Sequence, residues 1–381
     1  MENKKKLLIF IDWYKPGYKA GGPIRSISNL ISNLSEIFDI YVITRNTDYL
    51  ETTPYTNIQT DHWNNIDNAS VYYISKKRLN LSNIKKLIIE INPSIIYCNS
   101  LYSPFFSLFP IHVAKKLKIH SIIAVRGMLS KGSLNIKAKK KKIFLWLIKK
   151  FGLFKKCVFH ATTIEEKKNI QYFFGNKIQI IVAQNLSEQK SIPFLEKDKK
   201  PNHLKLVSIG RIAPEKNTLF ALEVLKKSKS YISFDIYGPI YNHEYWNKCL
   251  NVIKNLPSNI VVKYKGVLPH DQLNYILKKY HSFFLPSTGE NFGHSIIEAM
   301  SNSCIPIISD KTPWKNLSEK KVGFDLPLDR IDLLVEKIDF IASMNNDDFN
   351  KMSYNSYLYA QKIIFNKEVL KSYYKLFQLS S

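Results

Sequence analysis

The stretch from His281 to Trp314, HSFFLPSTGENFGHSIIEAMSNSCIPIISDKTPW, limits the possible folds more than any other. His281 to Leu285 is a short apolar run with two adjacent aromatics, as in a buried parallel strand, and Pro286 to Gly289 supplies the turn chemistry that ends it. Ser295 to Met300 has a helical pattern, and Cys304 to Ile308 is a second buried strand. The segment is one strand, loop, helix, strand unit.

Within its loop, Gly293 lets backbone approach a ligand closely. The helix that starts there points unpaired N–H groups, at the positive end of its dipole, into the same space. Glu290 in the loop and Glu298 inside the helix bracket that space. Carboxylates repel phosphate but accept from hydroxyl donors, so the layout suits a polyol joined to a phosphate, and a sugar nucleotide is such a molecule. The plainer alternative, two solvated glutamates, is weakened by the glycine, the helix start and the flanking strands.

The same alternation runs through the rest of the chain. In the first half, Lys6 to Ile11 reads as a strand, followed by the Gly- and Pro-rich WYKPGYKAGGPIRS and a helix from about Pro23 to Leu34. Gly21 and Gly22 then sit at a strand-to-helix turn, either a tight turn only or a place where a phosphate approaches. Neither a G-x-G-x-x-G fingerprint nor a Walker A sequence occurs, which argues against a dinucleotide enzyme. Arg126-Gly127 follows the strand Ser121 to Val125, at the end of the sheet where open α/β folds place their ligands.

Residues 183–203 are polar with two prolines, and the linker is expected at 191–203. A second α/β series restarts at Leu204, its first strand followed by GRIAPEKN. There Arg211 and Lys216 stand five apart across a turn and could converge on one diphosphate, unless they are merely solvated loop cations. The expected organisation is a first domain over 1–190, a second over 204–360, and a C-terminal helix over 361–381 packing back towards the first.

A chain of 381 residues exceeds one average domain of about 150 residues, in keeping with two. The net charge of +25 is lopsided: residues 1–200 hold 33 cations and 14 acids, residues 201–381 hold 23 and 17. That field implies an anionic partner, whether nucleic acid, bilayer or phosphorylated substrate. The four scattered cysteines lack metal or redox spacing and read as buried thiols in a reducing compartment. The N-terminus reads as a first strand, not a signal peptide, and no apolar run is long enough to span a membrane. No His/Asp/Glu cluster has metal spacing, so no metal and no cofactor are expected.

Lys137 to Cys157, KAKKKKIFLWLIKKFGLFKKC, combines nine lysines with clustered apolar residues. It fits a basic amphipathic helix on an anionic membrane, with Lys140, Lys141, Phe144, Trp146, Lys149 and Lys150 as contacts. It equally fits a domain helix packing Phe144, Leu145 and Ile148 inward, and the two are compatible.

Together GRIAPEKN, PSTGENFGHSIIEAM and the later SDKTPW resemble the retaining glycosyltransferases of family four, over essentially the whole chain. PGYKAGGPIRS and RGMLSKGSL look like the subgroup that builds cell-surface polysaccharides such as capsule, O-antigen, lipopolysaccharide or exopolysaccharide. The resemblance implies the GT-B fold, two Rossmann-like domains facing across a cleft. It implies that Arg211 and Lys216 bind the donor diphosphate, that Glu298 holds the ribose diol, and that Glu290, with Asn291, Phe292, Gly293 and His294, holds the transferred sugar. Gly22 would approach the phosphates, and Arg126 stands where many relatives carry a His beside the sugar.

The expected function is metal-independent, retaining transfer of a sugar from a UDP- or GDP-sugar to a glycan or polyprenyl-diphosphate-linked acceptor. The expected place is the cytoplasmic face of the inner membrane, held peripherally, with no nucleic acid involved. A sugar-nucleotide 2-epimerase of the same fold would need no acceptor. A non-catalytic basic binding protein for membrane or nucleic acid would need no donor.

Overall fold

A computed structural model describes residues 4–130 and 138–378. The chain forms two compact units, Met1–Gln189 with Asn366–Ser381, and Lys190–Phe365. Each is an α/β unit built on one sheet, described here in turn.

In the first unit the strands are β1 (Lys5–Phe10), β2 (Phe38–Arg45), β3 (Trp63–Ile66), β4 (Ala69–Ile74), β5 (Ile95–Cys98), β6 (His120–Ala124), β7 (Val158–Ala161) and β8 (Ile180–Val182). They lie in the order β3-β4-β2-β1-β5-β6-β7-β8. All pair in parallel except β3 with β4. The crossovers carry α1 (Gly22–Leu34), α2 (Leu81–Ile91), α3 (Phe109–Leu117), α4 (Ala138–Phe151) and α5 (Ile164–Phe174). Helices cover both faces, so β1, β5 and β7 are buried throughout their central residues and read as continuous apolar runs. The antiparallel edge β3, WNNI, has no such run and gave no strand signal.

α4 packs as a domain helix. Leu145 and Ile148 are buried, Phe144 packs edge-on against Tyr102 at 5.1 Å, and the Lys141 ammonium lies over the same ring. Phe144 and Lys141, expected on a membrane side, therefore turn inward: residues three and four apart share a helix face, and theirs is the face of Leu145 and Ile148. The side chain of Lys140, and residues 131–134 of the RGMLSKGSL motif, lie outside the described residues.

The second unit has β9 (His203–Ile209), β10 (Tyr231–Tyr237), β11 (Ile260–Tyr264), β12 (Ser282–Leu285), β13 (Ile305–Ser309) and β14 (Phe324–Leu326), ordered β11-β10-β9-β12-β13-β14 and parallel throughout. Its helices are α6 (Thr218–Leu225), α7 (His243–Lys254), α8 (Leu273–Leu277), α9 (His294–Ser301), α10 (Ile331–Ser343) and α11 (Asn346–Ile364). In order of appearance the strands run 3-2-1-4-5-6, the doubly wound Rossmann arrangement.

Residues 191–203, expected as a linker, belong instead to this second unit. The strap is sewn down by its polar groups: Lys197 N–H donates to Asn350 Oδ1 (2.9 Å), Asn350 Nδ2 donates back to Lys197 O (3.1 Å), and Lys199 Nζ donates to Ala342 O (2.6 Å). Both lysines are buried, and burial lowers the Lys199 pKa to about 8. The last helix, α12 (Lys367–Leu376), belongs to the first unit, where Tyr373, Leu376 and Phe377 are buried against Phe38, Tyr97 and His160.

Each unit buries one neutral histidine. His160 is fully enclosed, Nδ1 facing the Tyr97 hydroxyl (2.8 Å) and Nε2 the Ala183 carbonyl (2.7 Å), and desolvation drops its pKa to about 3. His281 Nδ1 accepts from Lys205 N–H (3.0 Å) while Nε2 faces Asp198 O (3.0 Å), and burial drops it to about 4. Unfolded imidazoles take a proton near pH 6.5, whereas these do not until far lower, so the unfolded chain binds more protons and stability falls as pH falls below about 6.5. Urea unfolding at pH 7.5 and pH 5.0 is expected to show a loss of about 2 kcal/mol per histidine, with His160→Gln removing its share.

Candidate active site

A doubly wound sheet binds ligands where its strand order reverses, beyond the carboxyl ends of the strands. In the second unit that point lies between neighbouring β9 and β12. Their loops, 210–217 and 286–293, carry the second-unit site residues expected from the sequence except His294 and Glu298, which follow on α9.

The first loop is fixed by close backbone approach. Gly210 N–H donates to Tyr237 O (3.0 Å), Ile212 N–H to Pro239 O (2.9 Å), and Gly238 N–H to Gly266 O (2.8 Å). Gly238 has φ +146, and a Cβ there would stand 1.8 Å from the Gly210 carbonyl oxygen, so only glycine lets these turns touch. Pro214–Lys216 then forms one 3₁₀ turn.

The second loop is hung on that turn. The Glu215 carbonyl accepts from Thr288 N–H (2.9 Å) and from the Ser287 hydroxyl (3.0 Å), while the Ser309 hydroxyl at the end of β13 donates to Ser287 O. These bonds carry Glu290 to Lys216: Nζ and Oε1 are 2.5 Å apart, with the side chains only 17% and 10% exposed respectively. The lysine stem lies against Gly210, where a Cβ would sit 3.6 Å from it. Arg211 is held differently, 3.2 Å from Glu215 and with its guanidinium over the Tyr241 ring at 5.4 Å. The sequence pointed to both cations but not to Tyr241, which follows a Gly-Pro turn without periodic signal.

Beyond Glu290, Phe292 is buried, and its carbonyl accepts from the Trp314 indole (2.5 Å). Phe292 thus acts as a plug that anchors the loop. Gly293, at φ +79, precedes α9, and a Cβ there would press within 2.7 Å of Ile296 and 3.3 Å of the Trp314 nitrogen. The first turn of α9 carries no acid and its N-cap makes no side-chain bond, which suits an anion at this helix end. His294 stacks edge-on against Phe292 at 4.8 Å, Asn291 is half-buried beside it, and Glu298 lies 3.9 Å from His270, a neighbour the sequence did not flag. Among the described residues no group of three or more His, Cys, Asp or Glu is placed to hold a metal ion.

In the first unit, Gly22 opens α1, exposed, with nothing within 4 Å of an added Cβ. Arg126 follows β6 at φ +55, its Nε donating to Asn99 (2.7 Å), one terminal nitrogen to the Tyr97 hydroxyl (2.8 Å) and the other to Asn185.

Residues 187–359 match the family described as Glycosyl transferases group 1. The match lies almost wholly within the second unit, and the chain shares the two α/β domains of the GT-B fold with solved glycosyltransferase structures. The chain is similar to the GtfA subunit of the UDP-N-acetylglucosamine–peptide N-acetylglucosaminyltransferase of Streptococcus parasanguinis, 27% identical over 139 residues, 36% of this chain and 26% of that protein. The match thus spans about a quarter of the length of that relative. Among solved structures it is similar to sucrose-phosphate synthase from Thermosynechococcus elongatus (TM-score 0.72, 13% identity, 99% of this chain and 98% of that one). It is also similar to Anabaena HepE in complex with UDP-glucose (TM-score 0.70, 13% identity, 98% and 100%).

Gly293→Ala is expected to fold, to lose about 1–3 kcal/mol from the forced φ and the Ile296 contact, and to weaken nucleotide binding by moving the α9 terminus. Thermal melting with and without UDP checks both effects.

Proposed function

We propose that the chain moves a hexose or hexose derivative from a UDP-sugar to a glycan acceptor with retention of anomeric configuration. The observation that carries the reading is the Lys216–Glu290 contact at the switch point of a group 1 glycosyl transferase domain, beside an α9 terminus free of acid. HepE in complex with UDP-glucose favours UDP over GDP as the donor nucleotide.

In this reading the bond between the anomeric carbon and the β-phosphate oxygen breaks, and its electron pair leaves on the diphosphate. Lys216, Arg211 and the main-chain N–H groups at the start of α9 take up that charge, an interaction strongest in the transition state. Glu290 turns from the lysine to the sugar hydroxyls, and Glu298 accepts from the ribose diol. The acceptor hydroxyl attacks on the face the diphosphate leaves, and the departing phosphate takes its proton. The acceptor is a lipid-linked glycan of cell-surface polysaccharide synthesis, a reading supported by the likeness of PGYKAGGPIRS and RGMLSKGSL to that subgroup.

A panel of UDP- and GDP-sugars, screened by thermal shift and then by nucleotide release, tests this. Lys216→Ala and Glu290→Ala are each expected to lower kcat/KM by about 10²–10³ while the protein stays folded. Turnover undiminished in both variants would overturn the assignment.

A further inference from the structure

We infer that the outward face of α4 seats the protein on an anionic lipid bilayer. The inference goes beyond the transfer reaction and stands or falls separately from it.

The first observation is charge. Between Glu90 and Glu165 the chain has no acidic residue, yet it carries fourteen lysines and arginines. Six of them flank or lie on the outer side of α4, all exposed: Lys139, Lys142, Lys149 and Lys150 on the helix, Lys155 and Lys156 just after it.

The second is what lies between these cations. Lys139, Lys142, Ile143, Trp146, Lys149 and Lys150 recur at spacings of three and four, opposite the buried Leu145 and Ile148. Ile143 is 61% exposed, Trp146 58% and Phe151, at the helix end, 72%. The Lys150 ammonium rests over the Trp146 ring at 4.9 Å. An apolar row within a basic face suits the boundary between headgroups and acyl chains, where the indole sits in the interface, isoleucine and phenylalanine enter the hydrocarbon, and lysine stems reach back to lipid phosphates. Nucleic acid would meet the lysines but leave Ile143 and Phe151 without a partner, which favours lipid.

The test is co-sedimentation of the full chain with phosphatidylcholine vesicles, with and without phosphatidylglycerol. Binding is expected only to the anionic vesicles, weakening as salt rises. Each cation at such a surface strengthens binding by about fivefold, so Lys149→Glu with Lys150→Glu should weaken it by about a hundredfold or more. Ile143→Ser with Trp146→Ser should weaken it by at least about tenfold. Circular dichroism and thermal melting establish that both variants fold, since every altered side chain is exposed. UDP-dependent stabilisation measured on the same variants should be unchanged, which separates this inference from the transferase reading. Failure to bind anionic vesicles, or binding that ignores both pairs of substitutions, would overturn it. So would a lysine-dependent grip on duplex DNA or RNA surviving about 0.2 M salt without matching vesicle binding.

Discussion

The second unit's site depends on one carbonyl group. Glu215 O, on a single 3₁₀ turn, accepts from both Thr288 and Ser287 and so ties the loop after β12 to the loop after β9. Without that tie, an ammonium and a carboxylate 74 positions apart in the chain would each be free to seek water. With it they meet, mostly shielded from solvent, where an opposite charge matters more than at an open surface. In the proposed reaction a diphosphate beside α9 competes for the lysine and sugar hydroxyls compete for the glutamate, so the pair is already arranged in charge for both.

Much of this was legible in the sequence because parallel strands are buried on both faces and announce themselves as apolar runs. The strand, loop and helix from β12 to α9 fall within a residue or two of their expected bounds, as does α1. Arg211, Lys216 and Glu290 could be named as candidates from their places after strand ends, and Glu298 from its place in the helix that follows. Their partners could not. No local pattern links Lys216 to Glu290, because the sheet order that brings β9 beside β12 is a property of the whole unit.

Composition misled at residues 191–203. A polar, lysine-bearing segment with two prolines resembles a tether, yet Lys197 and Lys199 are buried because backbone carbonyls and Asn350 satisfy them. Within α4, Phe144 and Trp146 are equally hydrophobic on paper, and only the position of Tyr102 shows which turns inward. The edge strand β3 escaped notice because it has one neighbour and a polar sequence.

The path of the chain has a consequence for biogenesis. The first unit is discontinuous: its sheet is complete by β8, but Tyr373, Leu376 and Phe377, which cover Phe38, Tyr97 and His160, come after the entire second unit. During synthesis the earlier-made portion must therefore wait, with part of its apolar interior uncovered, until the last helix leaves the ribosome, and the later-made unit can settle first. A nascent chain of this kind has an interval in which chaperone engagement guards an exposed patch, and a shortened C-terminus would prolong that interval indefinitely.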